Sequence, residues 1–289
     1  MNFGSISTAM VTPFDSKGNI DFGRTTKLVN HLLNNGTDSL VVAGTTGESA
    51  TLTTEEKIAL FKHVVKVVDG RVPVVAGTGS NNTKASIDLS KKAEEIGVDA
   101  IMIVAPYYNK PSQEGIIAHY KAIASAISLP IMAYNIPGRS VITFSVETVL
   151  RLAEVPNIVA LKDAGGNLDT MSEVIENTQD DFVVYSGDDG LTLPSLAIGS
   201  AGIVSVASHV IGNEMQTMIK AFSNGENKEA ARIHRKLLPV MQELFKAPSP
   251  APVKTALQLR GLDVGGVRLP LLPLNQSERE ALSNRLNSL

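Results

Sequence analysis

The chain contains no cysteine. That absence excludes a disulfide framework, a zinc–thiolate centre and a thiol nucleophile. Positive charge is not in excess either: 26 Lys and Arg stand against 29 Asp and Glu, a net charge of −3, which leaves no electrostatic footprint for nucleic acid. Nowhere do about 18 apolar residues run together, as a membrane span requires. The opening MNFGSISTAMVTPF lacks a basic segment followed by a long apolar one, so no signal peptide is expected. Together these absences predict a soluble, cytoplasmic protein with neither nucleic acid nor a membrane as partner. What is present is globular in character: 43% hydrophobic and 19% charged residues over 289 positions, enough for one large domain or two modest ones.

Eight short apolar, β-branched runs punctuate the chain: ISTAMVT (6–12), SLVVAG (39–44), PVVAGT (73–78), AIMIVAP (100–106), PIMAYN (130–135), IVALKDA (158–164), FVVYSGD (182–188) and GIVSVAS (202–208). Most are continuous rather than alternating, as parallel strands covered on both faces should be. Helix-like stretches separate them, several opening with Ser or Thr followed by acids, and two ending at Gly36 and Gly97. Eight such alternations predict a (β/α)8 TIM barrel over residues 1–212, in preference to a doubly wound open sheet. Residues 213–289 read as a helical appendix packed on the barrel, with a Pro-rich hinge APSPAPV at 247–253 and Ser277 placed to cap a last helix.

In NIVALKDAGGN (157–167) a lysine follows a buried run. Side chains alternate along a strand, so Lys162 shares a face with Ala160, while Asp163 faces the other way. An inward lysine at a strand's C-terminal end, where barrel enzymes keep their chemistry, is a candidate Schiff-base former. Free lysine has a pKa near 10.4, and a water-poor barrel mouth favours the neutral amine that such chemistry needs. The same parity turns Tyr134 inward beside it, and a tyrosine can shuttle the protons of imine formation. The other strand ends add GTTGES (44–49), APYYNKP (105–111), YNIPGR (134–139) and SGDD (186–189).

GTTGESATLTTEE, YNIPGR and ALKDA, together with TAMVTPF, APYYNKP and the late PVK…RLP segment, closely resemble the pyruvate-dependent class I aldolase and lyase superfamily, and within it the dihydrodipicolinate synthase family. The resemblance covers essentially the whole chain. It implies that Lys162 forms an imine with pyruvate, and that Thr46 with its neighbouring amides holds the pyruvate carboxylate. Tyr134, Thr45 and Tyr108 would form a proton relay. Arg139 would bind the carboxylate of L-aspartate 4-semialdehyde, and Gly187 and Val204 would line the pocket. It further implies a homotetramer in which Tyr108 reaches across a dimer interface, and no cofactor or metal. Arg139 distinguishes this reading from lyases of N-acetylneuraminate or of 2-keto-3-deoxy sugar acids. A catalytically inactive ligand-binding regulator and a metal-dependent barrel enzyme are the rivals of other classes.

Members of the family inhibited by lysine bind it in an interface cavity lined by Ser, Asn and Tyr, with a glutamate and histidines. Here Ser49, Asn81 and Tyr107 match, but Ala85 stands at the glutamate position and Thr54 and Lys57 at the histidine positions. The resemblance with these departures implies weak or absent inhibition by L-lysine. Other features read plainly. GTGSNN (77–82) lacks the pattern of a nucleotide-binding loop and is expected to be a turn. The five histidines have no ligand spacing. Asp188 and Asp189 are adjacent, so they face opposite ways, and a solvated turn is expected there.

Overall fold

Each of the eight apolar runs forms a strand in the computed structural model, which describes residues 3–289. The strands are β1 (Ile6–Ala9), β2 (Ser39–Val42), β3 (Val74–Gly77), β4 (Ala100–Val104), β5 (Ile131–Asn135), β6 (Ile158–Asp163), β7 (Val183–Ser186) and β8 (Gly202–Ser205). Each pairs in parallel with its sequence neighbours, and β8 returns to β1, with Val204 opposite Ser7, to close the barrel. The helices that follow the strands are α1 (Phe22–Asn34), α2 (Thr54–Val68), α3 (Thr83–Ile96), α4 (Gln113–Ala124), the short α5 (Pro137–Ser140), α6 (Val146–Ala153), α7 (Leu168–Asn177), α8 (Thr192–Ala197) and α9 (Ser208–Ser223). The fold is therefore a (β/α)8 TIM barrel. The appendix adds α10 (Asn227–Glu243), α11 (Ala251–Leu259) and α12 (Gln276–Asn287).

The period-two alternation of the strands sorts their side chains into two apolar bodies. Ala9, Val41, Val75, Met102, Met132 and Ala160 fill the barrel, with Tyr134, Tyr185 and Val204 among them. Leu40, Val42, Ile101, Ile103 and Leu161 face outward and pack with helix residues such as Leu28, Phe61 and Val64. The inner body mixes alanines and methionines with Val41, Val75 and Val204.

Local chemistry sets the helix ends. Thr53 and Glu56 form a reciprocal capping box at the start of α2. Gly97 ends α3 at φ +88°, a left-handed conformation that a Cβ disfavours. The last helix begins two residues earlier than Ser277 predicts. Asn275 accepts the Glu278 N–H while Glu278 accepts the Asn275 N–H, so this reciprocal pair takes the cap and leaves Ser277 in the first turn.

The junction expected between 212 and 213 falls inside α9, beside a break at Ile211, where φ is −134° and ψ is 29°. Residues 1 and 2 of the expected barrel segment lie outside the described residues. α9 packs on β1 and α1 as an eighth barrel helix, α10 packs along α9, and α12 rests on α10 and α11. Among the described residues no helix is long and apolar enough to cross a membrane.

Candidate active site

Lys162 lies on the inner face of β6, only 5% exposed. Strand register places Tyr134 of β5 on one side of it and Tyr185 of β7 on the other. Its Nζ sits 4.0 Å from the centroid of the Tyr134 ring. The two tyrosines are not equivalent. Tyr185 donates its hydroxyl to the Gly4 carbonyl at 2.9 Å, and burial pushes its phenol up to about 12, so it is committed to structure. Among the described residues the Tyr134 hydroxyl makes no hydrogen bond and is free for a ligand. Asp163 faces away, as alternation requires, and accepts the Asn135 side-chain amide at 2.7 Å. Burial lifts the Asp163 carboxyl above its ordinary range. Among the described residues no carboxylate pairs with Lys162.

Above this layer, the β2–α2 turn carries Thr45 and Thr46, the latter buried. The turn is tight: Glu48 N–H donates to the Thr45 carbonyl, Ser49 N–H to the Gly44 carbonyl, and the Thr12 hydroxyl to the Gly47 carbonyl at 2.6 Å. Gly47 fits there closely, since a Cβ would lie 3.1 Å from both the Met10 carbonyl oxygen and the Ala43 Cα. Thr45 and Arg139 line one cavity of about 330 Å³ together with Ser49, Lys57, Ser80, Val104 and Tyr107. Val104 joins this cavity to the lysine layer, because its partner across the ladder is Tyr134, which in turn pairs with Lys162. Arg139, on the short α5, has no acidic partner among the described residues.

Gly187 lies on the other side of the lysine. It lines a second cleft of about 550 Å³, with Ala164 and with Leu238, Met241 and Phe245 near the end of α10. Val204 is buried on the inner face of β8. The structure thus brings Lys162, Tyr134, Gly187 and Val204 into one region and Thr45 and Arg139 to the cavity above it. Tyr108 stands apart. Its φ of +71° is rare for a bulky residue, and it is 90% exposed, outside the cavities of its own barrel.

Some features of the site were not anticipated. Glu48 is buried on the wall of the upper cavity and pairs with Lys254 of α11 at 2.7 Å. GTGSNN is more than a turn, since Gly79 and Ser80 line that cavity. A Cβ on Gly79 would come within 2.5 Å of the Val104 amide nitrogen, so the glycine there marks close backbone approach. The solvated turn expected at 188–189 is half wrong. Asp188 caps its own turn, but Asp189 is buried and accepts the Ser205 hydroxyl and the Val206 and Ala207 amides, tying the β7 loop to β8. Three donors, not solvent, satisfy the buried Asp189 carboxylate, while Asp188 stays exposed. Among the described residues no three His, Asp or Glu side chains gather to hold a metal ion. His209 is instead a buried spacer: its Nδ1 lies 2.8 Å from the Val206 carbonyl and its Nε2 accepts the Val11 amide at 3.2 Å.

Comparison with known proteins agrees with the barrel fold. The dihydrodipicolinate synthetase family model matches residues 2–289. The 4-hydroxy-tetrahydrodipicolinate synthase of Bacillus velezensis is 66% identical over 289 residues, covering 100% of both chains. That of Bacillus subtilis is 65% identical over 290 residues, again covering 100% of both. The crystal structure of a dihydrodipicolinate synthase from Bacillus anthracis superposes with a TM-score of 0.99 at 67% identity, covering 100% of this chain and 99% of that one. The chain belongs to the dihydrodipicolinate synthetase family.

Proposed function

We propose that the protein is a 4-hydroxy-tetrahydrodipicolinate synthase that condenses pyruvate with L-aspartate 4-semialdehyde through an imine on Lys162. The observation that carries this reading is a lysine almost wholly enclosed on the inner face of a barrel strand, against a tyrosine ring and with no carboxylate to neutralise it.

The reaction follows from that placement. The Lys162 amine attacks the ketone carbon of pyruvate, and loss of water gives the imine. Its cationic nitrogen draws electrons from the adjacent methyl group, which loses a proton to become an enamine. The enamine carbon attacks the aldehyde carbon of the second substrate, and a carbon–carbon bond forms. The amino group of that substrate then closes onto the imine carbon. The bond to Lys162 breaks, and the lysine returns as the amine.

Tyr134, with a free hydroxyl beside the amine, is the immediate acid and base. Thr46 and the amides of its turn hold the pyruvate carboxylate, and Thr45 passes protons toward the cavity. Arg139, unpaired on the cavity wall, takes the carboxylate of the semialdehyde. Gly187 and Val204 shape the pocket around the imine. The exposure of Tyr108 supports its use in the site of a second copy of the chain, within a homotetramer built as a dimer of dimers. The expected location is the cytoplasm.

Borohydride added with pyruvate should fix the mass of reduced pyruvate on the peptide that carries Lys162. Label on another lysine, or none, would overturn the mechanism.

A further inference from the structure

Two cations and two carboxylates meet where the appendix touches the β2–α2 turn. Glu48 and Lys254 are 206 positions apart, yet their side chains pair at 2.7 Å with 1% and 2% exposure. The second Glu48 oxygen accepts the backbone N–H of Arg268 at 2.9 Å. Lys254 also donates to the Gly266 carbonyl at 2.6 Å. Its Nζ lies 4.2 Å from the centroid of the Phe14 ring, and the guanidinium carbon of Arg268 lies 4.5 Å from the same ring. Arg268 in turn binds Glu56 through both terminal nitrogens and donates to the Thr51 carbonyl at 2.8 Å.

A buried ion pair is a poor way to gain stability, because desolvating two charges offsets most of their attraction. Burial outweighs Glu48 here and holds the Lys254 ammonium below its ordinary value, at about 8. What the pair does supply is direction. Glu48 sits at φ +58°, a left-handed conformation uncommon outside glycine, and its N–H closes the turn onto the Thr45 carbonyl. A residue held in that conformation needs its surroundings to fix it. Lys254 and the Arg268 amide do so, from the C-terminal appendix.

We propose that Glu48 and Lys254 are positioning residues, whose ion pair holds the 44–49 turn so that Thr45 and Thr46 face the reacting pyruvate. This rests on the roles given to those threonines above. Neither Glu48 nor Lys254 touches substrate in this scheme. Each acts through the turn.

The double variant Glu48→Gln/Lys254→Met removes both charges at similar volume and leaves neither ion stranded, so it should fold. Expected in the folded variant, checked by circular dichroism, are a pyruvate KM raised about tenfold and a kcat lowered about tenfold, as misplacement by a fraction of an ångström produces. Borohydride labelling of Lys162 should still occur, at a lower rate. A labelled wild type beside a folded double variant with unchanged KM and kcat would overturn the positioning role alone. A double variant that no longer folds would overturn it too, because the pair would then serve the fold rather than the turn. Absence of label on wild-type Lys162 would overturn both this role and the mechanism beneath it.

Discussion

Gly187 leaves room for Lys162: a Cβ at position 187 would lie 3.0 Å from the lysine Cε and 2.8 Å from the Ala164 Cβ. The lysine stem therefore runs past a residue that has to lack a side chain. Gly187→Ala should push the amine off its line to pyruvate with little effect on the fold. Since a displacement of about 1 Å can cost 10²-fold, kcat should fall about that much and the rate of borohydride labelling should fall with it. A variant labelled as fast as wild type would show that the lysine has slack.

Tyr134→Phe keeps the ring beside Lys162 and removes the one free phenol of the layer. General acid–base steps are typically worth about 10²–10⁴-fold, so kcat should drop within that range while the pyruvate KM changes little. Steady-state kinetics at saturating semialdehyde measure this, and unchanged turnover would take the residue out of the relay.

Arg139→Ala should impair use of the aldehyde and spare the imine. A charge-assisted bond to a carboxylate is worth about 1.5–3 kcal/mol, or about 10–100-fold in affinity. The KM for L-aspartate 4-semialdehyde should rise accordingly, and borohydride trapping of pyruvate alone should proceed as in wild type. Loss of pyruvate trapping instead would assign the arginine to the other substrate.

His209 links stability to pH. Burial lowers its imidazole to about 4 from an ordinary 6.5, and protonation of Nε2 would cost the bond it accepts from the Val11 amide. Between those two values the unfolded chain holds more protons at this site than the folded one, so stability is lost as pH falls from 6.5 toward 4. The same direction holds for His119, also near 4 through burial, so a difference between variants isolates His209. Urea unfolding at pH 7 and pH 4.5 should show wild type losing about 2–3 kcal/mol more than His209→Gln over that interval. Equal losses in the two proteins would sink the assignment.

L-Lysine at millimolar concentration should inhibit weakly or not at all. Ser49, Lys57 and Tyr107 line the upper cavity, but Ala85 offers no carboxylate to a ligand ammonium. Burial lowers the ammonium of Lys57 below its ordinary value, and any charge it carries repels a cationic ligand. Loss of a carboxylate partner alone is worth about 1.5–3 kcal/mol. A dose–response curve at saturating pyruvate with submillimolar inhibition would mean that other residues supply the missing charge.

The fold was legible because a parallel strand covered on both faces writes itself as an unbroken apolar run, and eight such runs admit few arrangements. Alternation alone turned Lys162 and Tyr134 inward and Asp163 away, which is how they lie. Polar groups whose partners are distant left no such trace. Asp189 looks like a loop acid until β8 brings Ser205 against it. Nothing near Glu48 or Lys254 in the sequence marks them as partners, since a pairing across 206 positions has no local pattern. Ser277 failed for a milder reason: Asn275 and Glu278 offer the same cap two residues earlier.

Closure of the barrel has a consequence for how the chain is made. β1 finds one of its two ladder partners in β2 early, but its other edge waits for β8, with Thr8 opposite Ser205. At synthesis rates of about 5–20 residues per second, the roughly 200 intervening residues take on the order of 10–40 s to emerge. Any sheet formed within that interval would carry two unpaired edges, and such edges template wrong pairings between chains. Slower translation lengthens the exposure without changing the finished protein. An unfinished cylinder thus leaves two edges to be shielded until β8 arrives, a demand that no property of the completed molecule records.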